Sequence, residues 1–178
     1  MTEVFLAGPI DFQDVETIVD YRLTIRDRLR EAGFEPVDQY SAALELVAET
    51  DGVAEIGERL DELPDEPYLD AVSHAVAATS FEDVLADPSL VPEHTPPEVV
   101  TDIVERDLSL VADSDAFLAY LPDPSCGTMA ELLHAVRCDH PTVVVSETPP
   151  HFVQYYADAT CPTAEEAIET LSERLATV

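Results

Sequence analysis

The stretch that decides the fold is DAFLAYLPDPSCGTMAELLHAVRC, residues 115–138. Its first seven residues are almost continuously apolar, which is typical of a strand buried on both faces of a parallel sheet. A turn over 122–127 follows, and the apolar residues of 128–138 then recur at the spacing of an amphipathic helix. Because a strand, a short turn and a helix in this order form the repeating unit of α/β folds, the stretch predicts a parallel sheet covered by helices.

The same unit recurs on both sides of this stretch. Upstream, Gly8 and Pro9 end a short apolar run at 4–7, which predicts a buried strand followed by a tight loop. Downstream, Thr163 and Glu166 form a capping box, which predicts the start of a last helix. Since strands and helices alternate, we expect helices on both faces of the sheet. The other predicted elements are helices over 14–32, 98–112 and 164–177 and strands over 34–37 and 141–145.

The segment over about 41–97 interrupts this alternation. It has helical patterns at 42–48, 53–63 and 68–78, many acidic residues and a group of prolines near its end. It contains no repeat and is too short for a second domain. We therefore predict a single domain of 178 residues with a helix-rich insertion.

The charge is the most unusual feature of the composition. The chain has 38 acidic and 8 basic residues, all of the basic ones arginine, for a net charge of -30. The acids alternate with apolar residues along the whole chain, which is not the pattern of a disordered acidic tail. At molar salt the Debye length is about 3 Å, so the charges would be screened. The composition thus predicts a halophilic protein and argues against DNA or RNA as a partner, because polyphosphates need basic patches.

Membranes and metals are also not expected. No apolar run approaches the ~20 residues that span a bilayer, and the first residues lack the basic region of a signal peptide, so we expect a cytoplasmic protein. The three cysteines and five histidines follow no metal-binding spacing. We expect neither a metal nor an organic cofactor.

Glu131 is the first candidate for chemistry. It follows the predicted turn by about one helical turn, where the helix dipole would favour an ionised carboxylate, and such a group can attack an anomeric carbon. Asp107, just before the same strand, could supply the second carboxylate. The loops at Gly8-Pro9 and 125–127 both leave the carboxyl ends of strands, so they can converge on one site. The alternative is that Glu131 only caps its helix or complements the dipole.

Three strings in this order resemble the nucleoside 2-deoxyribosyltransferase superfamily. They are VFLAGPI (4–10), ERDLSLVADSDAFLAYL (105–121) and PSCGTMAEL (124–132). The superfamily includes transferases that exchange bases between deoxynucleosides, 2′-deoxynucleoside 5′-phosphate N-hydrolases and related CMP hydrolases. The resemblance covers the first 40 and the last 80 residues and implies a flavodoxin-like or Rossmann-like parallel sheet.

The resemblance also implies roles for particular residues. Glu131 matches the catalytic glutamate that attacks C1′ of the sugar, and Asp107 matches the aspartate that contacts the nucleoside and assists catalysis. Gly8 and Pro9 match a loop beside the sugar and base. Ser125 with Gly127 resembles the phosphate-contacting turn of the monophosphate hydrolases. The segment 11–14, however, lacks the arginine-rich loop of those hydrolases.

The function that these matches imply is cleavage of the N-glycosidic bond of a (deoxy)nucleoside or its 5′-monophosphate. The sugar would pass to a second base or to water, as in nucleotide salvage, without a cofactor. Members of the superfamily assemble as dimers or larger, so a homo-oligomer is expected. Two alternatives remain: a non-catalytic nucleotide-binding regulator of the same fold, and a purely structural acidic domain.

Overall fold

The computed structural model describes residues 1–41, 43–44 and 66–176, and these ranges form an α/β fold. The strands are β1 (Thr2–Ala7), β2 (Phe34–Val37), β3 (Ala116–Tyr120), β4 (Thr142–Val145) and β5 (Ala159–Cys161). The helices are α1 (Val15–Glu31), α2 (Pro67–Ala78), α3 (Phe81–Ala86), α4 (Leu90–His94), α5 (Pro97–Asp113), α6 (Cys126–Arg137), α7 (His151–Tyr156) and α8 (Ala164–Leu175).

All five strands are parallel, in the order β2-β1-β3-β4-β5. This is the flavodoxin-like order of a doubly wound sheet. Helix α1 leads from β1 to β2 in one direction across the sheet, whereas α6 leads from β3 to β4 in the other. Because such crossovers are right-handed, the two helices cover opposite faces. The predicted fold class is confirmed.

The core of the sheet explains why the central strands could be predicted. Residues Val4 to Ala7 and all of β4 are buried, and so is β3 up to its last residue. One cluster on a single face joins Phe5 and Phe117, whose rings stack at 6.0 Å, to Val111 of α5 and Ala135 of α6. Burying each phenylalanine contributes roughly 1.5–3 kcal/mol to the free energy of unfolding. This cluster holds α5, α6 and α7 on the same face.

Outside the insertion, two short elements were not predicted from the sequence. β5 has three residues, of which only Cys161 is buried, and as the outermost strand it pairs with β4 alone. α7 has six residues, of which only Val153 is buried. Neither therefore shows the apolar periodicity from which elements are recognised.

The chain forms two compact units. The sheet unit consists of Met1–Pro9, Thr24–Asp38 and Asp107–Val178, and the helical unit consists of Ile10–Leu23 and Gln39–Arg106. No helix within the described ranges is both long enough and apolar enough to cross a bilayer.

The helical unit has an apolar cluster and a polar cluster of its own. Ala71, Ala75, Val84, Val91 and Val99 form the apolar cluster. In the polar cluster, Arg106 donates to the Gln39 carbonyl and to the Glu66 carboxylate, both at 3.2 Å. Helix α2 confirms the helical prediction for 68–78, whereas the predictions for 42–48 and 53–63 lie outside the described residues except at 43 and 44.

Candidate active site

The topology sets a switch point between β1 and β3. The chain turns toward β2 after β1 and toward β4 after β3, so the loops that follow these strands diverge. In open α/β sheets the ligand binds at such a switch point, outside the carboxyl ends of the strands, here called the carboxyl edge. The register pairs Ala7 with Ala119, which sets the start of the first loop beside the end of β3.

Gly8 and Pro9 lie at this edge, directly after β1, and both are buried. Ser125 and Gly127 lie in the second loop and at the start of α6. Gly127 is exposed, and a Cβ added there would meet no atom within 4 Å among the described residues. Packing therefore does not require a glycine at 127, and its small size leaves the start of the helix open.

Glu131 is 6% exposed on the buried face of α6, together with Thr128, Leu132 and Ala135. Acidic side chains are almost never buried to this extent unless they are paired. The N-cap of α6 is Ser125, and the first turn contains no acidic residue. The alternative that Glu131 caps the helix is therefore wrong. The dipole argument also loses force, because Glu131 lies in the second turn and the dipole acts mainly over the first.

Asp107 is half-buried on α5, four residues before Val111. Glu131 stands four residues before Ala135, and Val111 and Ala135 belong to the same core cluster. Both helices run antiparallel to the strands. Asp107 therefore lies one helical turn closer to the carboxyl edge than Val111, and Glu131 one turn closer than Ala135. The two predicted acids are thus on the same face of the sheet, on helices that pack against the same strands.

Ser125 and Thr128 form a pair of hydroxyl groups beside Glu131. The Ser125 Oγ accepts hydrogen bonds from the Thr128 N–H at 3.4 Å and from the Thr128 Oγ1 at 3.2 Å. Thr128 is 2% exposed. Sequence reasoning missed Thr128, although its spacing of three from both Ser125 and Glu131 sets all three on one stripe of the helix.

The exposed arginines of the sheet unit lie at one edge only. Arg28 and Arg30, Arg137 and Arg174 occupy the last turns of α1, α6 and α8, which end at the edge where the strands begin, here called the amino edge. Arg26 is 1% exposed and pairs with Asp38 at 3.2 Å. Acids lie at both edges, and those at the carboxyl edge are Asp123, Glu131, Glu147, Glu165 and Glu166. Among the described residues of this unit, no exposed cation faces the candidate site.

An open cleft of about 750 Å³ lies at the amino edge and is lined in part by Thr142, Asp158 and Arg174. Its polar groups already bond one another: the Thr142 N–H donates to Asp158 at 2.8 Å, and Arg174 donates to the Asp158 carbonyl at 2.6 Å. Its size alone therefore does not make it the reactive site. The described ranges hold no cluster of three or more histidine, cysteine, aspartate or glutamate side chains that could bind a metal ion.

Comparison with known proteins relates the chain to others through its fold. No family model matches it, and no curated protein matches it. It is similar to the structure of a 2-deoxyribosyltransferase from the psychrotolerant bacterium Bacillus psychrosaccharolyticus, with a TM-score of 0.53, 16% identity and 96% of each chain covered. A second similar structure is a 2-desoxiribosyltransferase from Leishmania mexicana, with a TM-score of 0.44, 14% identity, and 88% of this chain and 71% of that chain covered. The first similarity shows a nucleoside 2-deoxyribosyltransferase-like fold over almost the whole chain.

Proposed function

We propose that this protein is an enzyme that cleaves the N-glycosidic bond of a nucleoside or deoxynucleoside, with Glu131 as the nucleophile. The observation that supports this best is the burial of Glu131 on the inner face of α6, below the switch point. A carboxylate in this position is shielded from bulk water and held on a helix, which suits a nucleophile that must be aimed at C1′. The fold shared with a 2-deoxyribosyltransferase supplies the reaction class.

The reaction has two steps. A carboxylate oxygen of Glu131 attacks C1′, the bond from C1′ to the base nitrogen breaks, and the base leaves with the bonding electrons and takes up a proton. The sugar is then held as an ester of Glu131. A second base, or water, attacks C1′ from the opposite side, gives up a proton and releases the glutamate.

Asp107 is proposed to move the proton that the leaving base gains and the second nucleophile loses. This role is supported by the packing of α5 and α6 against one core cluster. Asp107 and Glu131 each lie one helical turn from that cluster, toward the carboxyl edge. A carboxylic acid in this role contributes typically 10²- to 10⁴-fold to the rate.

The charges favour a nucleoside over its 5′-monophosphate. A phosphate dianion would approach an edge with Asp123, Glu147, Glu165 and Glu166, while the exposed arginines of the sheet unit stand at the other edge. Like charges at these distances repel, most strongly at low salt. We therefore do not propose a 5′-monophosphate as the substrate, although Ser125 and Gly127 resemble the phosphate-contacting turn of the monophosphate hydrolases.

The test is release of free base from 2′-deoxynucleosides, ribonucleosides and their 5′-monophosphates in molar salt, with and without a second base. Glu131→Gln removes the nucleophile at constant size, and we expect base release to fall at least about 10³-fold. Glu169→Gln, the same change on the exposed face of α8, is the control and should have no effect. Unchanged release by Glu131→Gln would remove this residue from its role. Nucleoside binding without any release by the unaltered protein would favour the regulator.

A further inference from the structure

Four serine and threonine residues are buried in the described part of the chain, and one of them differs from the others. Three donate their hydroxyl protons to another residue, at 2.8 to 3.2 Å: Ser114, Thr128 and Thr142. The fourth is Ser146, which is 7% exposed, and no described residue bonds to its hydroxyl. Most buried polar side-chain atoms have a partner, so this exception calls for an explanation.

The backbone holds Ser146 at the carboxyl edge, directly after β4. Its N–H donates to the Cys161 carbonyl at 2.8 Å, which continues the ladder with β5 by one residue. On the other side of β4, the Leu121 N–H donates to the Val145 carbonyl at 2.9 Å. Because both neighbouring strands are bonded to this segment, the hydroxyl projects from the sheet itself, where its position is fixed.

Ser146 lies on the same face of the sheet as Glu131. Strand residues alternate between faces, and Val144, two residues before Ser146, belongs to the core cluster under α5, α6 and α7. Ser146 therefore extends this face by about 6.6 Å toward the carboxyl edge. Glu131 lies about 6 Å beyond Ala135 of the same cluster, in the same direction. Since α6 packs against β3 and β4, the hydroxyl and the carboxylate lie at about the same level, one on the sheet and one on the helix that covers it.

The Ser146 hydroxyl is open to a ligand of matching chemistry. Its oxygen is not one of the unbonded polar atoms that the described residues seal completely from solvent. A serine hydroxyl both donates and accepts, so it matches another hydroxyl, which does the same. A carboxylate or phosphate would instead be repelled by Glu131 and by the neighbouring Glu147.

The stereochemistry of the proposed reaction indicates which hydroxyl this would be. Glu131 attacks C1′ from the face of the sugar ring opposite the base. In a nucleoside the 3′-hydroxyl, and in ribonucleosides also the 2′-hydroxyl, lies on that same face, whereas the 5′-hydroxymethyl group lies on the face of the base. A group beside the nucleophile therefore meets a ring hydroxyl, and the 3′-hydroxyl is the one that both classes of nucleoside share.

We infer that Ser146 is a further substrate-binding residue, whose hydroxyl bonds the 3′-hydroxyl of the sugar. The inference rests on the proposed function, because the face of the sugar that meets Ser146 follows from attack by Glu131. In the sequence, Ser146 is an ordinary loop serine between an apolar run and a pair of prolines. Its burial and its unbonded hydroxyl are evident only once β4 is placed between β3 and β5.

The central experiment compares Ser146→Ala with the unaltered protein on two substrates. With a 2′-deoxynucleoside we expect the variant to raise the KM about 3- to 10-fold with kcat nearly unchanged, the effect of one uncharged hydrogen bond. With a 2′,3′-dideoxynucleoside, which has no ring hydroxyl, the two proteins should have the same KM. An equal rise with both substrates, or a rise only with ribonucleosides, would overturn the assignment to the 3′-hydroxyl.

The melting temperature separates a ligand-binding hydroxyl from a structural one. Because no described residue bonds to the Ser146 hydroxyl, Ser146→Ala should leave the melting temperature unchanged or slightly higher. Ser114→Ala is the matched control, since Ser114 is 5% exposed and donates to the Leu110 carbonyl at 2.8 Å at the amino edge. It should lower the melting temperature without changing the KM. An equal loss of stability in both variants would show that Ser146 has a structural role and would contradict the inference.

Failure of the proposed function would look different, because no variant would then release base from any substrate. In that event the two proteins are compared by calorimetric titration with the same two nucleosides. A Kd for the 2′-deoxynucleoside raised about 3- to 10-fold in Ser146→Ala, with no change for the 2′,3′-dideoxynucleoside, would still support the inference. Equal Kd values for the 2′-deoxynucleoside, or no binding, would overturn it.

Discussion

The two edges of the sheet use polar side chains in opposite ways. At the amino edge the groups satisfy one another: Asp158 accepts from the N–H and hydroxyl of Thr142, and Asp115 accepts from the Glu3 N–H at 2.8 Å. At the carboxyl edge lie the side chains that the sequence and the proposed function assign to the substrate: Ser125 at the N-cap of α6, and Glu131, 6% exposed in the second turn of the same helix. Groups that bond one another stabilise the fold, whereas groups held for a ligand serve recognition and chemistry.

The largest effect is expected from Asp107→Asn at the carboxyl edge. Loss of a general acid and base should lower kcat about 10²- to 10⁴-fold with little change in melting temperature. It should also flatten the basic limb of the pH–rate profile, because Asp107 must be protonated to supply the proton that the leaving base gains, and this measurement separates proton transfer from a merely structural role. Asp102→Asn, the same change at an exposed position of α5, is the control. Similar profiles for the two variants would remove Asp107 from catalysis.

Salt should change the stability of the whole molecule and not of one edge. With a net charge of -30, dilution from molar to 0.1 M salt lengthens the Debye length from about 3 to about 10 Å and restores repulsion among the acids. We expect the melting temperature to fall steeply along this series in scanning calorimetry. A melting temperature that does not respond to salt would contradict the halophilic interpretation.

Asp158→Ala tests the amino edge. Thr142 is 1% exposed, so its N–H would lose its partner inside the protein, at a cost of about 1–3 kcal/mol in the free energy of unfolding. The rate of base release should stay the same. Asp158→Asn, which keeps an acceptor oxygen, should recover most of the stability in denaturant titrations. A selective loss of catalysis in Asp158→Ala would show that the two edges are not separate in function.

The smallest effect concerns Asp14, which caps α1. Hydrogen bonds from the hydroxyl of Thr17, at 2.7 Å, and from its N–H, at 2.9 Å, lower the pKa of Asp14 below its ordinary value. A lowered folded-state pKa means that the stabilisation is complete above about pH 4, the unfolded pKa, and is lost as the pH falls through the folded pKa. Asp14→Ala should cost about 1 kcal/mol at pH 7 and less at pH 2. A cost independent of pH would contradict this.

The sequence is informative where a residue's neighbours in the chain determine its environment. The apolar runs of β3 and β4 lie in the centre of the sheet, and Glu131 follows a recognisable turn that contains Ser125. The ion pair of Arg26 with Asp38 joins residues twelve positions apart and depends on how α1 packs. Thr128 resembles any helical threonine until the helix is packed and its hydroxyl is buried. β5 and α7 each bury a single residue, which is too weak a pattern to predict them.

The central claim is that the sugar becomes covalently attached to Glu131, and mass spectrometry of a trapped intermediate tests it most directly. A nucleoside with an electron-withdrawing 2′-fluorine slows both steps, since each passes through an oxocarbenium-like transition state. We predict that the intact protein gains the mass of one fluorinated sugar, that peptide fragmentation assigns it to Glu131, and that Glu131→Gln gains nothing. A sugar attached to another residue, or base release at a normal rate by Glu131→Gln, would contradict the account.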